Sequence, residues 1–199
     1  MRAKRRGTNL IWESWPWKQA LLRDAKKLDG FFLGEDDEQA NVDYERAIFQ
    51  AGFTIRKLLE AKKLTDRTAL SDVKCRKLAL LDPARIPDRM TRHWPSEFYD
   101  VANRQSATVK LSFLTNQLVH SFVFAPTTRC ETDFHAEGFF LNSDYDRSKC
   151  LYEYELAELV RIMRLVGNDE VDRIDYKRDD NGEWISRNYG PDEPEAKQS

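Results

Sequence analysis

The longest run of apolar residues at helical spacing lies between Asn41 and Leu64. Tyr44, Ile48, Ala51, Ile55 and Leu58 recur at intervals of four, three, four and three, which puts them on one stripe of a helix. Glu45, Arg46, Arg56, Lys57 and Glu60 fall off that stripe. Gly52 in mid-helix costs about 1 kcal/mol against Ala, so it suits a close approach by a neighbouring element. Lys57 to Lys63 sets cations at the carbonyl end, where the helix dipole favours them. An earlier helix opens at Ser14-Trp15-Pro16, with Ser14 as N-cap and Pro where a missing N–H costs nothing. Trp17, Leu21, Ala25 and Leu28 line its face, and Gly30 closes it. Leu111, Leu114, Leu118 and Phe122 predict another helix over about 108–122, stopped by Pro126.

The period changes further on. Gly138–Leu141 and Cys150–Tyr154 read as two strands joined by the polar turn Asn142–Lys149. A helix over Glu155–Val166 turns Leu156, Leu159, Ile162 and Met163 inward. Val171–Tyr176 and Trp184–Ser186 flank the hairpin turn Asp180-Asn181-Gly182. Residues 65–107 are less regular: Val73–Leu80 fits a strand or a short helix, and Pro83, Pro87 and Pro95 break the remainder into loops. The expected fold is α+β in a single domain over 14–188. A mainly helical body covers about 14–125, with a long helix at about 41–64 and a second at about 108–122. A small β-rich C-terminal part, hairpin–helix–hairpin, covers about 137–188. A flexible basic tail, 1–13, precedes the domain and a disordered tail, 189–199, comes after it.

With 41% hydrophobic and 12% aromatic residues in 199, the chain has material for a real core. Its longest apolar runs are far short of a membrane span, so no membrane partner is expected. Cys75, Cys130 and Cys150 lack paired spacing, which suits free thiols in a reducing compartment, the cytoplasm. Charge is segregated: residues 1–130 hold 23 Lys/Arg and 16 Asp/Glu, while 131–199 hold 9 and 18, so +7 and −9 sum to the net −2. A basic body with an acidic end can meet a polyanion on one side, or pair with a second copy or a partner protein.

Thr115-Asn116-Gln-Leu-Val-His120 is the sharpest chemical candidate. Residues four apart on a helix share a face, so Asn116 and His120 point the same way. An imidazole can serve as general acid or base, and a neighbouring amide can orient it. The same pair also reads as a polar spot in which each satisfies the other. An Asn followed by three residues and a His resembles the motif of HEPN-type domains, an Arg with a polar residue and a His four to six residues on. The resemblance implies a dimeric helical bundle and a metal-independent ribonuclease, often in defence or toxin systems. It makes His120 the acid/base and Asn116 its polar partner, but Thr115 stands where the Arg belongs. Arg56, Lys57 and Arg104 are the candidate replacements.

Arg56, Lys57, Lys62 and Lys63 are the candidate nucleic-acid contacts, since clustered cations attract phosphates by counterion release. Interleaved acids such as Asp66 and Asp72 also allow a solvated, mixed face. The loop from Asn142 through Asp144 and Asp146 to Glu153 resembles a calcium loop. Arg147, however, replaces the turn Gly, and strands replace the flanking helices. Cys130, Asp133 and His135, with His93 elsewhere, lack the paired spacing of a zinc site. No metal site and no cofactor are expected. The resemblance implies a HEPN-like intracellular module that binds or cleaves RNA in a defence or stress system, and the alternative is a non-catalytic protein–protein interaction or regulatory subunit.

Overall fold

The computed structural model describes residues 11–35, 37–130 and 132–193. In chain order they form α1 (Trp15–Leu28), α2 (Glu38–Glu60), α3 (Asp66–Ala69), β1 (Asp72–Ala79), β2 (Gln105–Lys110), α4 (Leu111–Val119), β3 (Ser121–Cys130), β4 (Asp133–Ser143), β5 (Cys150–Glu155), α5 (Leu156–Gly167), β6 (Arg173–Arg178) and β7 (Trp184–Tyr189). β1 to β5 make one antiparallel sheet in the order β2-β1-β5-β4-β3, and β6–β7 is a separate hairpin. β2 and β3 are its two edges, so α4 carries the chain from one edge to the other.

One face of the sheet is covered by α1, α2, α4 and α5. The stripe predicted for α2 is buried there against Val73, Phe139, Leu141, Tyr152 and Tyr154 of the sheet. A Cβ on Gly52 would meet Leu118 at 2.7 Å, so only glycine lets α2 and α4 cross this closely. Gly138 is equally constrained: a Cβ there would stand 2.1 Å from the Tyr154 carbonyl oxygen. Its own carbonyl accepts a 2.8 Å bond from the Tyr44 hydroxyl, tying α2 to β4. In α1 the buried stripe runs through Lys18, Leu21, Ala25 and Leu28, so Lys18 and not Trp17 completes it. The other face carries Leu78, Val123, Phe140 and Leu151, covered by Phe98 and Tyr99 from the irregular segment between β1 and β2.

The body is therefore not mainly helical. β1, β2 and the first half of β3 fall within the stretch read as helical, and β1, β2 and β3 join β4 and β5 in the same sheet. The predicted helix over 108–122 is the clearest correction. Thr108–Lys110 belongs to β2, the helix runs only from Leu111 to Val119, and Ser121 begins β3. The apolar residues of this stretch satisfy a helical stripe, but its β-branched and aromatic ends pair with β1 and β4, and pairing overrides the period. The element order β4–β5, α5, β6–β7 is hairpin, helix, hairpin, but β4 and β5 are inner strands of the five-stranded sheet and not a small separate β-rich part. Of the two expected tails, residues 1–10 and 194–199 lie outside the described residues, whereas Ile11 and Tyr189 are buried. No helix of the described residues is long and apolar enough to cross a membrane.

Candidate nucleic-acid interface

His120 is the C-cap of α4, and its backbone N–H donates to the Asn116 carbonyl at 3.0 Å. That main-chain bond is the link between the two residues. Both side chains are exposed, and among the described residues the Asn116 amide has no hydrogen-bond partner. The imidazole is engaged from another helix. An Arg56 guanidinium nitrogen lies 3.3 Å from His120 Nε2. The crossing at Gly52, one turn earlier on α2, brings these residues together across 64 positions of sequence. Of the candidate replacements for the missing Arg, Arg56 is thus the one beside His120. Arg104 is engaged elsewhere, with the buried Glu153 at 3.1 Å.

Arg56 and Lys57 share Glu60, through bonds of 2.8 and 2.7 Å. Bonds from Lys57 and then Arg56 hold the Glu60 carboxyl below its ordinary range. Lys62 and Lys63 stand apart from this pair. They line a cavity of about 770 Å³ with Trp15, Lys18, Asp169 and Tyr176. There the buried Asp169 carboxylate receives the Thr65 N–H and the hydroxyls of Thr65 and Thr68. Lys18 donates to the Asp169 carbonyl, and burial pushes its ammonium down in pKa. The four cations grouped from sequence therefore divide between two places.

No family model matches this chain, and no curated protein or solved structure matches it.

Beyond His120, β3 begins with a bulge: Ser121 pairs with Ser143 and Val123 with Asn142, leaving Phe122 as the extra residue. Bulges re-aim side chains, and here Phe122 packs beside Val123 on the loop-covered face. Two guanidiniums lie over its ring, Arg147 at 4.5 Å and Arg92 at 5.9 Å. A narrow cleft lined by Glu45, Phe49, Arg92, His93, Ser121, Phe122 and Phe124 runs along this edge of the sheet, so one carboxylate faces its cations. The sequence does not mark Arg92, His93 or Arg147 as nucleic-acid contacts: His93 is read only as an isolated zinc-ligand type and Arg147 only as the residue in place of the turn Gly, although the loop Arg85–His93 is rich in cations.

The edge rests on a buried polar network. The Gln117 carboxamide receives the Ser143 N–H at 2.6 Å and donates to Asp146 at 2.5 Å. Asn142 donates to the Tyr99 hydroxyl and the Cys150 carbonyl, and the Tyr99 hydroxyl donates to the Arg147 carbonyl at 2.7 Å. The acids of the calcium-like loop are spent here: Asp146 on Gln117, Ser143 and Lys149, Asp144 on Arg147. Asp133 binds His135 at 2.7 Å, and Cys130 lies 3.4 Å from the Thr132 hydroxyl. Among the described residues no group of three His, Cys, Asp or Glu could hold a metal ion.

Proposed function

We propose that this protein binds RNA along the edge formed by α2, α4 and the start of β3, with Arg56 and His120 receiving a backbone phosphate. The observation that carries the reading is the 3.3 Å contact between the Arg56 guanidinium and His120 Nε2 at an exposed helix end. A guanidinium only donates, so Nε2 accepts and the imidazole proton sits on Nδ1. A phosphate oxygen competes for that guanidinium better than a neutral nitrogen does, because the bond becomes charge-assisted and can be bidentate. Its arrival frees Nε2. The HEPN resemblance also implies an Arg–His pair, but within one helix of a helical bundle, whereas here Arg56 of α2 meets the C-cap of α4 in an α+β fold built on a five-stranded sheet.

Cleavage extends the same arrangement. Nε2 takes the ribose 2′-OH proton, the 2′-oxygen bonds to the adjacent phosphorus, and the P–O5′ bond breaks as its oxygen takes a proton from Lys57 or from solvent water. Arg56 offsets the charge that builds on the phosphoryl oxygens. Lys57 is the candidate donor to the leaving oxygen, but Glu60 engages it. Binding is therefore the core of the proposal and ribonuclease activity its second step. A part in defence or stress responses enters through the resemblance alone.

A protein–protein interaction module has its own supporting observation, the exposed Ile174, Tyr176, Trp184 and Ile185 of the β6–β7 hairpin. The test is an anisotropy titration of fluorescein-labelled mixed-sequence RNA in EDTA, with gels of the same samples. Arg56→Ala is expected to weaken binding about fivefold, since a lost phosphate contact weakens all sequences alike. Cutting that disappears in a folded His120→Ala variant makes His120 the base. Wild-type protein that leaves RNA unbound sinks the reading and favours the hairpin, whose partner surface Trp184→Ala then probes.

A further inference from the structure

We infer that RNA held at Arg56–His120 continues around the β3 edge into a second phosphate-binding cleft lined by Arg89, Arg92 and Arg147. The inference rests on the RNA reading proposed for Arg56 and His120 and extends it to a second site. The cleft, of about 710 Å³, lies where the loop after β1 meets the turn between β4 and β5, with Asp88, Phe122 and Asp144 as its other walls.

The charges in it are unequally spent. Asp88 accepts at Oδ1 from the Met90 and Thr91 N–H groups and the Thr91 hydroxyl, which hold it below the ordinary aspartate range, so it stays ionised and offsets part of the cleft's positive charge. Asp144 pairs with Arg147 at 3.0 Å. Among the described residues neither Arg89 nor Arg92 has a carboxylate within salt-bridge range. The Arg92 Nε is buried without a hydrogen-bond partner, and its guanidinium is held over the Phe122 ring. Arg147 is fixed from three sides: by the Pro87 carbonyl, which accepts from its guanidinium at 2.7 Å, by Asp144, and by the Phe122 ring. Three guanidiniums converging with their charge only partly offset make an anion site, and Arg geometry suits phosphate oxygens.

The cleft shares Arg92 and Phe122 with the narrow groove that holds Glu45, His93 and Ser121, and Ser121 follows His120 in the chain, so the groove ends next to the first site. One network sets the spacing of the two ends. Gln117 on α4 bonds Ser143 and Asp146 at the start of the turn, and the same turn holds Arg147 through Tyr99. A ligand with regularly repeated phosphates is what a groove with cations fixed at both ends recognises.

The test uses the full chain and a fluorescein-labelled, mixed-sequence eight-nucleotide RNA, titrated over a salt series. Arg89→Ala and Arg92→Ala are each expected to weaken binding about fivefold and to lower the salt slope by about 0.7. Arg85→Ala is the control. It removes the same charge from the same loop, but Arg85 pairs loosely with Glu97 at 3.8 Å and does not line the cleft. It should stay within about twofold of wild type. If Arg56→Ala weakens binding while Arg89→Ala and Arg92→Ala match Arg85→Ala, the second cleft is overturned and the first site stands. If wild type leaves the RNA unbound, the first site falls and the cleft falls with it. Arg89 is exposed, so its variant reports even where Arg92→Ala disturbs folding.

Discussion

Four helices cover one face of the five-stranded sheet, while a single irregular segment between β1 and β2 covers the other. The helix face is apolar and continuous. Phe124, Phe139 and Tyr154 stack across three neighbouring strands with centroids 5.6 Å apart. The Cys75 and Cys150 thiols lie in the same layer, and burial pushes both up, Cys75 to about 11. They are packing groups, not nucleophiles. The loop face is smaller and holds ions. The Glu153 carboxylate, 6% exposed, lies 3.4 Å from Arg76 and 3.1 Å from Arg104. Dense apolar packing leaves no room for unspent charge, whereas a loop covering can present cations at its rim. The proposed RNA path lies where the two coverings meet, at the β3 edge.

The comparison breaks first on stability. Phe139→Ala removes the centre of the aromatic row under four helices, and should cost about 3–5 kcal/mol in urea unfolding. Leu151→Ala on the loop face should cost about 2–3 kcal/mol, because the loop above it can settle into part of the cavity. Equal losses would mean that the irregular segment is packed as rigidly as the helices.

The same contrast separates what the sequence discloses from what it hides. The α2 stripe, α5 and the two C-terminal hairpins were legible because each has a local period or a turn signal of its own. The sheet was not. Val73–Leu80 leaves strand and short helix open, because β1 carries charges at alternate positions, and β2 is mostly polar; pairing with β5 and with each other decides both as strands. α4 was legible as a helix, but its ends were not, because strands with the same apolar residues abut it on both sides. His120 was visible by its residue type. Its partner Arg56 depends on the crossing at Gly52, which fixes a long-range distance that spacing does not encode. Phe122 was read into a helical stripe, whereas a bulge turns it toward Arg92 and Arg147.

The polar network that joins the two ends of the path can be sharpened by pH. Burial alone raises the Asp146 carboxyl, but bonds from Lys149, Gln117 and Ser143 outweigh it and hold the carboxyl below the ordinary 3.8. A folded-state pKa below the unfolded one adds stability above pH 3.8, and this is lost as the pH falls through the folded value. Asp146→Asn should therefore cost about 1 kcal/mol at pH 7, and the gap from wild type should close below pH 3.8 in urea titrations. A gap that is constant with pH would assign the loss to packing and not to the charge.

The smallest change in stability should accompany the most informative change in binding. Glu60 lies at the exposed end of α2 and draws both Arg56 and Lys57 toward itself. Exposed ion pairs of this kind contribute little to folding, so Glu60→Gln should leave the urea midpoint unchanged. It removes a negative charge from beside the proposed phosphate and releases two cations. RNA affinity should then rise about threefold at low salt and by less at high salt, because the gain is electrostatic and screened. Phe139→Ala predicts the reverse pattern, a large loss of stability with unchanged affinity under conditions where the protein stays folded. If Glu60→Gln weakens RNA binding, Glu60 is orienting Arg56 toward His120, and the contact at His120 is a structural pair that the phosphate does not displace.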